Sequence, residues 1–283
     1  MKTVNIIGVP EHFNLPWHLA IEEGAFEARG IDLQWTDIPE GTGRMCQMLQ
    51  AGHTDLAIIL TEGIIKSISE GNSARIVQEY IATPLHWGIH VAANGPYQHL
   101  GDLVGKTAAI SRYGSGSHLM SYVLAESVNW PMDGLHFQVV NTIDGAVEAL
   151  TQGTADFFLW ERFTTKPLVD QGVFRRLGDC PTPWPCFVIA ATNDFVREHK
   201  GILQHILDII NNYTLDFREI PCIDKTLANR YGQQLEDIRE WLGMTRWSQK
   251  NISNEIVDNV QDKLLYLKLI STKMNSKDII HIP

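Results

Sequence analysis

The sequence has no long run of basic residues. Its 283 residues carry 23 lysines and arginines against 33 aspartates and glutamates, which gives a formal net charge of −10. Proteins that bind nucleic acids draw much of their affinity from neutralising phosphates, and this requires a basic surface. The composition therefore predicts that no nucleic acid is a partner.

Long apolar runs are missing as well. No stretch approaches the roughly 20 apolar residues that a membrane-spanning helix needs, so we expect no transmembrane segment. The N-terminus leads directly into a strand-like segment at 4–10, without an apolar region followed by a small-residue cleavage site. We therefore expect a cytoplasmic protein. A periplasmic or lipid-anchored location would require that an export segment had been removed.

Cysteine is scarce, and the four cysteines are scattered. This usage fits a reducing compartment. The prolines at 181, 183 and 185 predict an extended loop between Cys180 and Cys186 rather than a disulfide. The other two are Cys46 and Cys222.

Recognisable metal, cofactor and nucleophile motifs are also absent. His86 and His90 are four residues apart, but Pro84 and a strand-like sequence argue against a helical metal-binding pair. No segment matches a phosphate-binding loop or a dinucleotide fingerprint. We predict no metal, no cofactor and no catalytic residue.

The hydrophobic pattern that is present alternates between strand and helix. It predicts strands at 4–9, 31–35 and 54–60, and helices at 16–29 and 44–51. Such an order is typical of a β-α-β-α-β unit with parallel strands.

A second unit repeats this rhythm. Strands are predicted at 106–111, 137–141 and 155–160, with helices at 118–129 and 143–152. The segments 50–57 and 151–158 share a glycine, an aspartate and a following apolar strand at matched positions, which indicates a weak internal repeat.

The last third of the chain is predicted to be mostly helical, with helices at 194–219, 223–232, 234–242 and 252–270. The expected fold class is α/β, with two α/β lobes joined by two hinge crossings. We place lobe 1 at 1–88 plus 193–283, where the helical C-terminal segment packs on it, and lobe 2 at 89–192.

Several phrases resemble the type II periplasmic-binding-protein superfamily. They are PWHLAIEEGAFEARGIDL at 16–33, AGHTDLA at 51–57 and GKTAAIS at 105–111. The likeness is to the branch of alkanesulfonate-, nitrate- and thiamine-pyrimidine-binding proteins. Two longer phrases, ISRYGSGSH at 110–118 and FLWE at 158–161, resemble its cytosolic fungal and bacterial sub-branch, whose members have no signal peptide.

The resemblance implies a solute-binding protein that captures a small molecule in a cleft between the lobes by hinge closure. It also implies an ABC permease as partner if the protein is exported. Two alternatives remain open: an enzyme resembling those of thiamine-pyrimidine synthesis, with Lys166 or His118 as its reactive group, and a cytosolic small-molecule sensor. Those enzymes carry a cysteine-rich motif that this sequence lacks, which favours a binding protein.

Ligands of open α/β sheets bind beyond the carboxyl ends of the strands. After the first predicted strand come Phe13, Asn14 and Trp17. Two aromatic rings and an amide suit the stacking and orienting of a small ligand. The alternative is that Phe13 and Trp17 only pack on the helix.

The next two strand ends also carry candidate ligand residues. Gly41 and Thr42 open a helix whose free N–H groups could bind a ligand. Thr61 and Glu62 could bind a ligand amine or hydroxyl. Alternatively, Thr61 caps the following helix and Glu62 lies in its first turn.

The segment Ser115, Gly116, Ser117 and His118 is the most suggestive local feature. Glycine lets the backbone approach a ligand closely, serine hydroxyls donate hydrogen bonds, and a helix N-terminus favours an anion. Arg112, just before it, could bind a carboxylate or sulfonate. A capped helix without any ligand is the alternative. We expect a small ligand with an anionic or polar group.

The final candidates are Trp160 and Glu161 at a strand end and Trp184 in the proline-rich loop. A buried Glu161 requires a partner, which could be a cationic ligand group, Arg162 or another internal residue. Trp184 either lines the cleft or braces the chain crossing.

Overall fold

The computed structural model describes residues 1–282, and the chain divides into two units. Unit 1 contains Met1–Thr83 together with the residues from Trp184 onward, and unit 2 is Pro84–Pro183. The chain thus leaves unit 1 once and returns once. Pro283, which the sequence placed in lobe 1, lies outside the described residues.

The boundaries between units differ from those expected at 88/89 and 192/193. The segment 86–92 is a strand in the sheet of unit 2, and the segment 187–192 is a strand in the sheet of unit 1. Sheet pairing therefore assigns each strand whole to one unit, and the boundaries lie between 83 and 84 and between 183 and 184.

Within residues 1–282, ten strands form two sheets of five. They are β1 Lys2–Gly8, β2 Ile31–Asp37, β3 Leu56–Leu60, β4 Ala74–Ile81, β5 His86–Ala92, β6 Thr107–Ile110, β7 His136–Val139, β8 Phe157–Glu161, β9 Phe174–Pro181 and β10 Phe187–Thr192.

The two sheets have the same arrangement. Unit 1 has the order β2-β1-β3-β10-β4, and unit 2 has β7-β6-β8-β5-β9. In unit 1, β1 is parallel to β2 and β3, while β10 is antiparallel to β3 and β4. In unit 2, β6 is parallel to β7 and β8, while β5 is antiparallel to β8 and β9. The predicted α/β class with parallel β-α-β-α-β units is confirmed.

Helices surround both sheets. The α-helices are α1 Leu15–Glu22, α2 Thr42–Gln50, α3 Thr61–Ser69, α4 Gly116–Ser127, α5 Ile143–Gln152, α6 Lys166–Asp170, α7 Asn193–Glu198, α8 Lys200–Leu215, α9 Ile223–Tyr231, α10 Leu235–Met244, α11 Asn254–Tyr266 and α12 Ser276–Ile279.

The first predicted helix and the helix predicted at 194–219 differ from expectation. The first ends at Glu22 because Gly24 adopts a left-handed conformation (φ 70°), and a short 3₁₀ turn follows at Glu27–Arg29. The predicted helix at 194–219 divides into α7 and α8 because His199 has φ −128° and ψ 36°, which is not helical.

The C-terminal helices pack on unit 1, as predicted. Helix α8 contacts α1, and α11 contacts α3. Single bridges from Trp247 to Ile81 and from Ile280 to Ile76 also cover the outer edge of β4. The helical segment thus closes an edge that would otherwise present unpaired N–H and C=O groups.

Helices α2 and α3 approach each other closely at Gly63. A Cβ atom built on Gly63 would lie 2.2 Å from Cγ2 of Thr42, whereas the Cβ of Thr42 would be 3.5 Å away. The lack of a side chain at Gly63 therefore allows α3 to begin beside α2, and this contact sets the position of the first turn of α3.

We expect Gly63→Ala to lower the free energy of unfolding by about 1 to 3 kcal/mol, because the added methyl overpacks the contact with Thr42. Denaturant unfolding monitored by circular dichroism measures this. Gly201→Ala is the matched control, since nothing lies within 4 Å of its Cβ position near the start of α8. It should leave stability equal or raise it by up to about 1 kcal/mol.

Thr42→Ser removes the methyl that Gly63→Ala would meet. The double variant should therefore recover most of the lost stability. A Gly63→Ala protein as stable as the wild type would contradict a close approach at this position.

Candidate functional site

The junction between β3 and α3 is tied to the segment that returns from unit 2. The Thr61 N–H donates to the Cys186 carbonyl at 3.0 Å, and the Thr61 hydroxyl donates to the Pro185 carbonyl at 2.5 Å. Leu60, not Thr61, is the N-cap of α3, and no side chain caps this helix. The capping role considered for Thr61 is therefore wrong, because its hydroxyl is used by Pro185.

Glu62 is a buried carboxyl group in the first turn of α3, with 2% of its surface exposed. Its Oε2 accepts a hydrogen bond of 2.8 Å from Nε1 of Trp184. Among the described residues, its Oε1 has no hydrogen-bond partner. Trp184 thus braces this carboxyl group.

Burial raises the pKa of Glu62 to about 7, although its own backbone N–H and the Trp184 indole act in the opposite direction. Desolvation penalises the ionised form more than these two donors stabilise it. Glu62 therefore changes its charge near neutral pH.

Phe13 and Trp17 lie in the aromatic core of unit 1. The Phe13 ring packs at 5.1 Å from those of both Phe187 and Trp241. Trp17 is fully buried and stacks on Phe26 at 6.1 Å. Packing within the core, the alternative to a ligand role, therefore accounts for the positions of both aromatic rings.

Asn14, between these aromatic residues, is fully buried. Its Nδ2 donates to the Val9 carbonyl at 2.8 Å. Within the described part of the chain, Oδ1 of Asn14 has no hydrogen-bond partner. Asn14 therefore offers a second acceptor near a strand end of unit 1.

Gly41 and Thr42 form the start of α2. Gly41 is the N-cap with φ 75° and ψ −162°, a conformation that favours glycine. Thr42 is half-buried and contacts α3 through its methyl group. Its role in packing is visible, and a ligand role for the pair remains a prediction.

Three serines of unit 2 form a hydrogen-bonded cluster where β6 leads into α4. The Oγ of Ser117 lies 3.1 Å from that of Ser115 and 3.3 Å from that of Ser111. Ser117 Oγ also accepts from the Ser111 N–H at 3.0 Å, and Ser115 Oγ accepts from the His118 N–H at 3.4 Å. Ser115 therefore caps α4, and its ligand role stays a prediction.

Capping does not use all the hydrogen atoms of this cluster. The three hydroxyls have three protons, and the two contacts between them can use two. All three side chains are buried, with 7%, 4% and 1% exposure for Ser111, Ser115 and Ser117. One hydroxyl proton is thus left to donate elsewhere, next to the free N–H groups of Gly116 and Ser117 in the first turn.

The ring of His118 lies against this cluster in an aromatic surround. Its Nδ1 accepts from the Gly114 N–H at 3.0 Å, so the neutral ring carries its hydrogen on Nε2. Phe137, Tyr122 and Tyr113 lie with ring centroids 4.6, 5.2 and 5.3 Å away. Burial lowers the pKa of His118, so the ring is neutral at physiological pH.

Glu161 at the end of β8 stabilises the loop that follows it. Its Oε2 accepts from the Thr164 N–H at 2.6 Å and from the Thr164 hydroxyl at 2.8 Å. Burial raises its pKa, and the donors of the loop oppose this shift. Trp160 stacks on Phe158 at 5.4 Å. Its own loop thus supplies hydrogen-bond donors to Glu161, and contact with a ligand stays a prediction.

The residues named for the other hypotheses have structural partners. Lys166 pairs with Asp170 one turn along α6. His90 is fully buried, with Nε2 at 2.9 Å from the Thr165 hydroxyl and Nδ1 at 3.3 Å from the Phe158 carbonyl. Across residues 1–282, no three metal-ligating side chains are grouped, and no helix is long and apolar enough to cross a bilayer.

The structure brings the candidates together in two sets. Thr61, Glu62 and Trp184 meet in unit 1, while Ser115, Ser117 and His118 meet in unit 2. The sequence missed Ser111, although its place at the end of a strand and six residues before Ser117 could have indicated it. Arg112 is half-buried next to Ser111, and its ligand role stays a prediction.

Comparisons with known proteins agree with this fold. Residues 87–180, within unit 2, match the model of the Ca3427-like PBP family. No curated protein matches the chain.

Three solved structures resemble nearly the whole chain. The Candida albicans CA3427 gene product, described as having the generic periplasmic binding protein fold, has a TM-score of 0.90 at 23% identity, covering 99% of this chain and 96% of that one. The Escherichia coli aliphatic sulphonate binding protein SsuA has a TM-score of 0.78 at 20% identity, covering 100% of this chain and 93% of that one. The Xanthomonas axonopodis pv. citri alkanesulfonate-binding protein SsuA, bound to MOPS, has a TM-score of 0.83 at 16% identity. The match covers 100% of this chain and 99% of that one.

We expect the free energy of unfolding to depend on pH through Glu62. Its pKa of about 7 lies above the usual 4.5, so the folded protein retains a proton that the unfolded chain loses between these values. The contribution of Glu62 to the free energy of unfolding is fully present below pH 4.5. It is lost as the pH rises through 7, and the total loss is roughly 3 kcal/mol.

Glu62→Gln removes this titration. The free energy of unfolding of the variant, relative to that of the wild type, should therefore rise by roughly 3 kcal/mol from pH 4.5 to pH 8. Urea unfolding at both pH values measures this. Glu236→Gln on the exposed side of α10 is the control, and should follow the wild type. A constant difference between wild type and Glu62→Gln across this range would contradict an elevated pKa.

Proposed function

We propose that this chain, which has the fold of type II periplasmic-binding proteins and matches the Ca3427-like family in its second unit, captures a small organic molecule. The SsuA structures belong to proteins that bind aliphatic sulphonates or alkanesulfonates. Their fold is shared by this chain. The resemblance inferred from the sequence is thereby confirmed, and ligand binding is the function it supports best.

The observation that carries the proposal is the surplus hydroxyl proton of the serine cluster. A buried hydroxyl proton without an acceptor costs free energy, whereas an anionic oxygen would satisfy it. The cluster also lies at the N-terminus of the twelve-residue helix α4, where the helix dipole favours negative charge. We propose that Ser115 and Ser117 bind an oxygen of an anionic or polar ligand group, such as a sulfonate or carboxylate.

Polar groups of unit 1 are a second candidate position for a ligand. Oδ1 of Asn14 and Oε1 of Glu62 are buried near the carboxyl ends of β1 and β3, the position at which α/β sheets bind ligands. Buried polar atoms that lack a partner call for an explanation, and a ligand or an ordered water supplies one. Capture by hinge closure between the two units stays a prediction.

We further propose that the protein works in the cytoplasm. Within the described residues, none of the four cysteines forms a disulfide, and three of them are buried. The absence of disulfides fits a reducing compartment. An ABC permease would be its partner if the protein were exported.

Native mass spectrometry of the freshly purified full chain tests the central proposal. We expect a fraction of the protein to carry one small molecule that is released by mild denaturation and can be identified. A chain that carries no molecule, and that 1-butanesulfonate, octanoate and MOPS all fail to stabilise against heat, would refute it.

We expect the double variant Ser115→Ala/Ser117→Ala to bind 1-butanesulfonate at least about tenfold more weakly by calorimetry, since hydrogen bonds to charged groups contribute about 1.5 to 3 kcal/mol. Ser121→Ala is the matched control. Ser121 is a buried serine of the same helix, but its hydroxyl donates to the Ser117 carbonyl at 2.8 Å and not to the cluster. Unchanged affinity in the double variant would show that the serines do not bind the ligand.

A further inference from the structure

We propose that Glu62, in its acid form, donates a hydrogen bond from Oε1 to an oxygen of the bound ligand, so that capture of an anion depends on a proton held at this residue. The proposal rests on the proposed function, and it names a specificity-determining group in unit 1.

The contact with Trp184 determines which oxygen carries the proton. The indole N–H can only donate, so Oε2, at 2.8 Å from it, must act as the acceptor. The proton of the acid form therefore resides on Oε1. This is the oxygen that has no hydrogen-bond partner among the described residues.

The surroundings of Glu62 favour the acid form. Burial is the largest effect on its pKa, which is raised to about 7. The elements that pack against α3 include α2, α11, β4 and β10. Their ionisable groups are Arg44 and Cys46 on α2, Arg75, Glu79 and Tyr80 on β4, and Glu255, Asp258, Asp262, Lys263 and Tyr266 on α11. Among the described residues, none of these groups shifts the pKa of Glu62 through its charge.

A purely structural role would leave this O–H group unexplained. Thr61, the adjacent polar residue, already donates to Pro185 at 2.5 Å and so does not need Glu62. The carboxyl group lies just beyond the carboxyl end of β3, where this class of fold places its ligands. An acid that is kept neutral in an apolar site is a strong donor to an anion, while the same group in its ionised form would repel it.

Two opposite pH dependences follow for two classes of ligand. If the ligand presents an oxygen anion, its affinity should fall about tenfold for each pH unit above 7, because one proton must be taken up. If the ligand presents an amine to ionised Glu62, its affinity should rise with pH instead. The proposal requires the first behaviour.

The protonation state can be measured without any ligand. Infrared difference spectra of wild type minus Glu62→Gln should show the C=O band of one protonated, buried carboxyl group at pH 6, and this band should fade through about pH 7. Glu79→Gln removes another buried carboxyl group of unit 1 and serves as the control. Absence of the band at pH 6 in the folded protein would overturn the proposal.

Binding is then measured by calorimetry with 1-butanesulfonate, which does not titrate in this range, at pH 6, 7, 8 and 9. The wild type should lose affinity above pH 7. Glu62→Gln should bind at every pH without a slope, because its amide accepts from Trp184 with one end and donates with the other. Glu62→Leu should bind weakly throughout.

The outcomes separate this proposal from the proposed function. A wild type and a Glu62→Gln protein with the same pH slope, or an affinity that rises with pH, would overturn the role of Glu62 while leaving a ligand-binding protein. If neither protein binds 1-butanesulfonate or any other anion at pH 6, the donor role of Glu62 and the proposed anion site both fail. The infrared band would then report only a buried acid.

Discussion

The pairing of β10 between β3 and β4 is the constraint on which the rest of unit 1 depends. This strand comes from the part of the chain that follows unit 2, and it completes a sheet begun by the first 83 residues. Its antiparallel contacts with both neighbours fix where the preceding segment, 184–186, must lie. That segment in turn supplies the Pro185 and Cys186 carbonyls to Thr61 and the indole of Trp184 to Glu62. The candidate site of unit 1 is thus assembled by a sheet contact between residues far apart in sequence.

Both candidate sites follow one physical logic. A parallel strand ends, a helix begins, and polar side chains at the junction are buried with one hydrogen-bonding atom more than their protein partners can satisfy. In unit 2 the extra atom is a hydroxyl proton of the serine cluster. In unit 1 it is Oε1 of Glu62, whose ionisation is opposed by burial. The two junctions are not equivalent positions of the repeated sheet, because the serine cluster follows β6, the counterpart of β1, whereas Glu62 follows β3, the counterpart of β8.

Periodicity and local signals were sufficient to predict the elements that form the parallel part of each sheet. Strands β1, β2 and β3 and the serine cap of α4 are set by neighbouring residues. Strand β10 could not be placed in this way, because an apolar run of six residues does not reveal which sheet it joins. For the same reason, the sequence could name Glu62 and Trp184 separately but not join them, since 122 positions separate the two.

The late arrival of β10 also has a consequence for synthesis on the ribosome. All strands of the second sheet are encoded within one continuous segment, so unit 2 has everything it needs to fold before the chain is complete. Unit 1 does not, and the facing edges of β3 and β4 stay open until the final hundred residues emerge. Apolar strand edges exposed for that time invite non-native pairing. During synthesis the N-terminal segment therefore carries open strand edges until β10 is made.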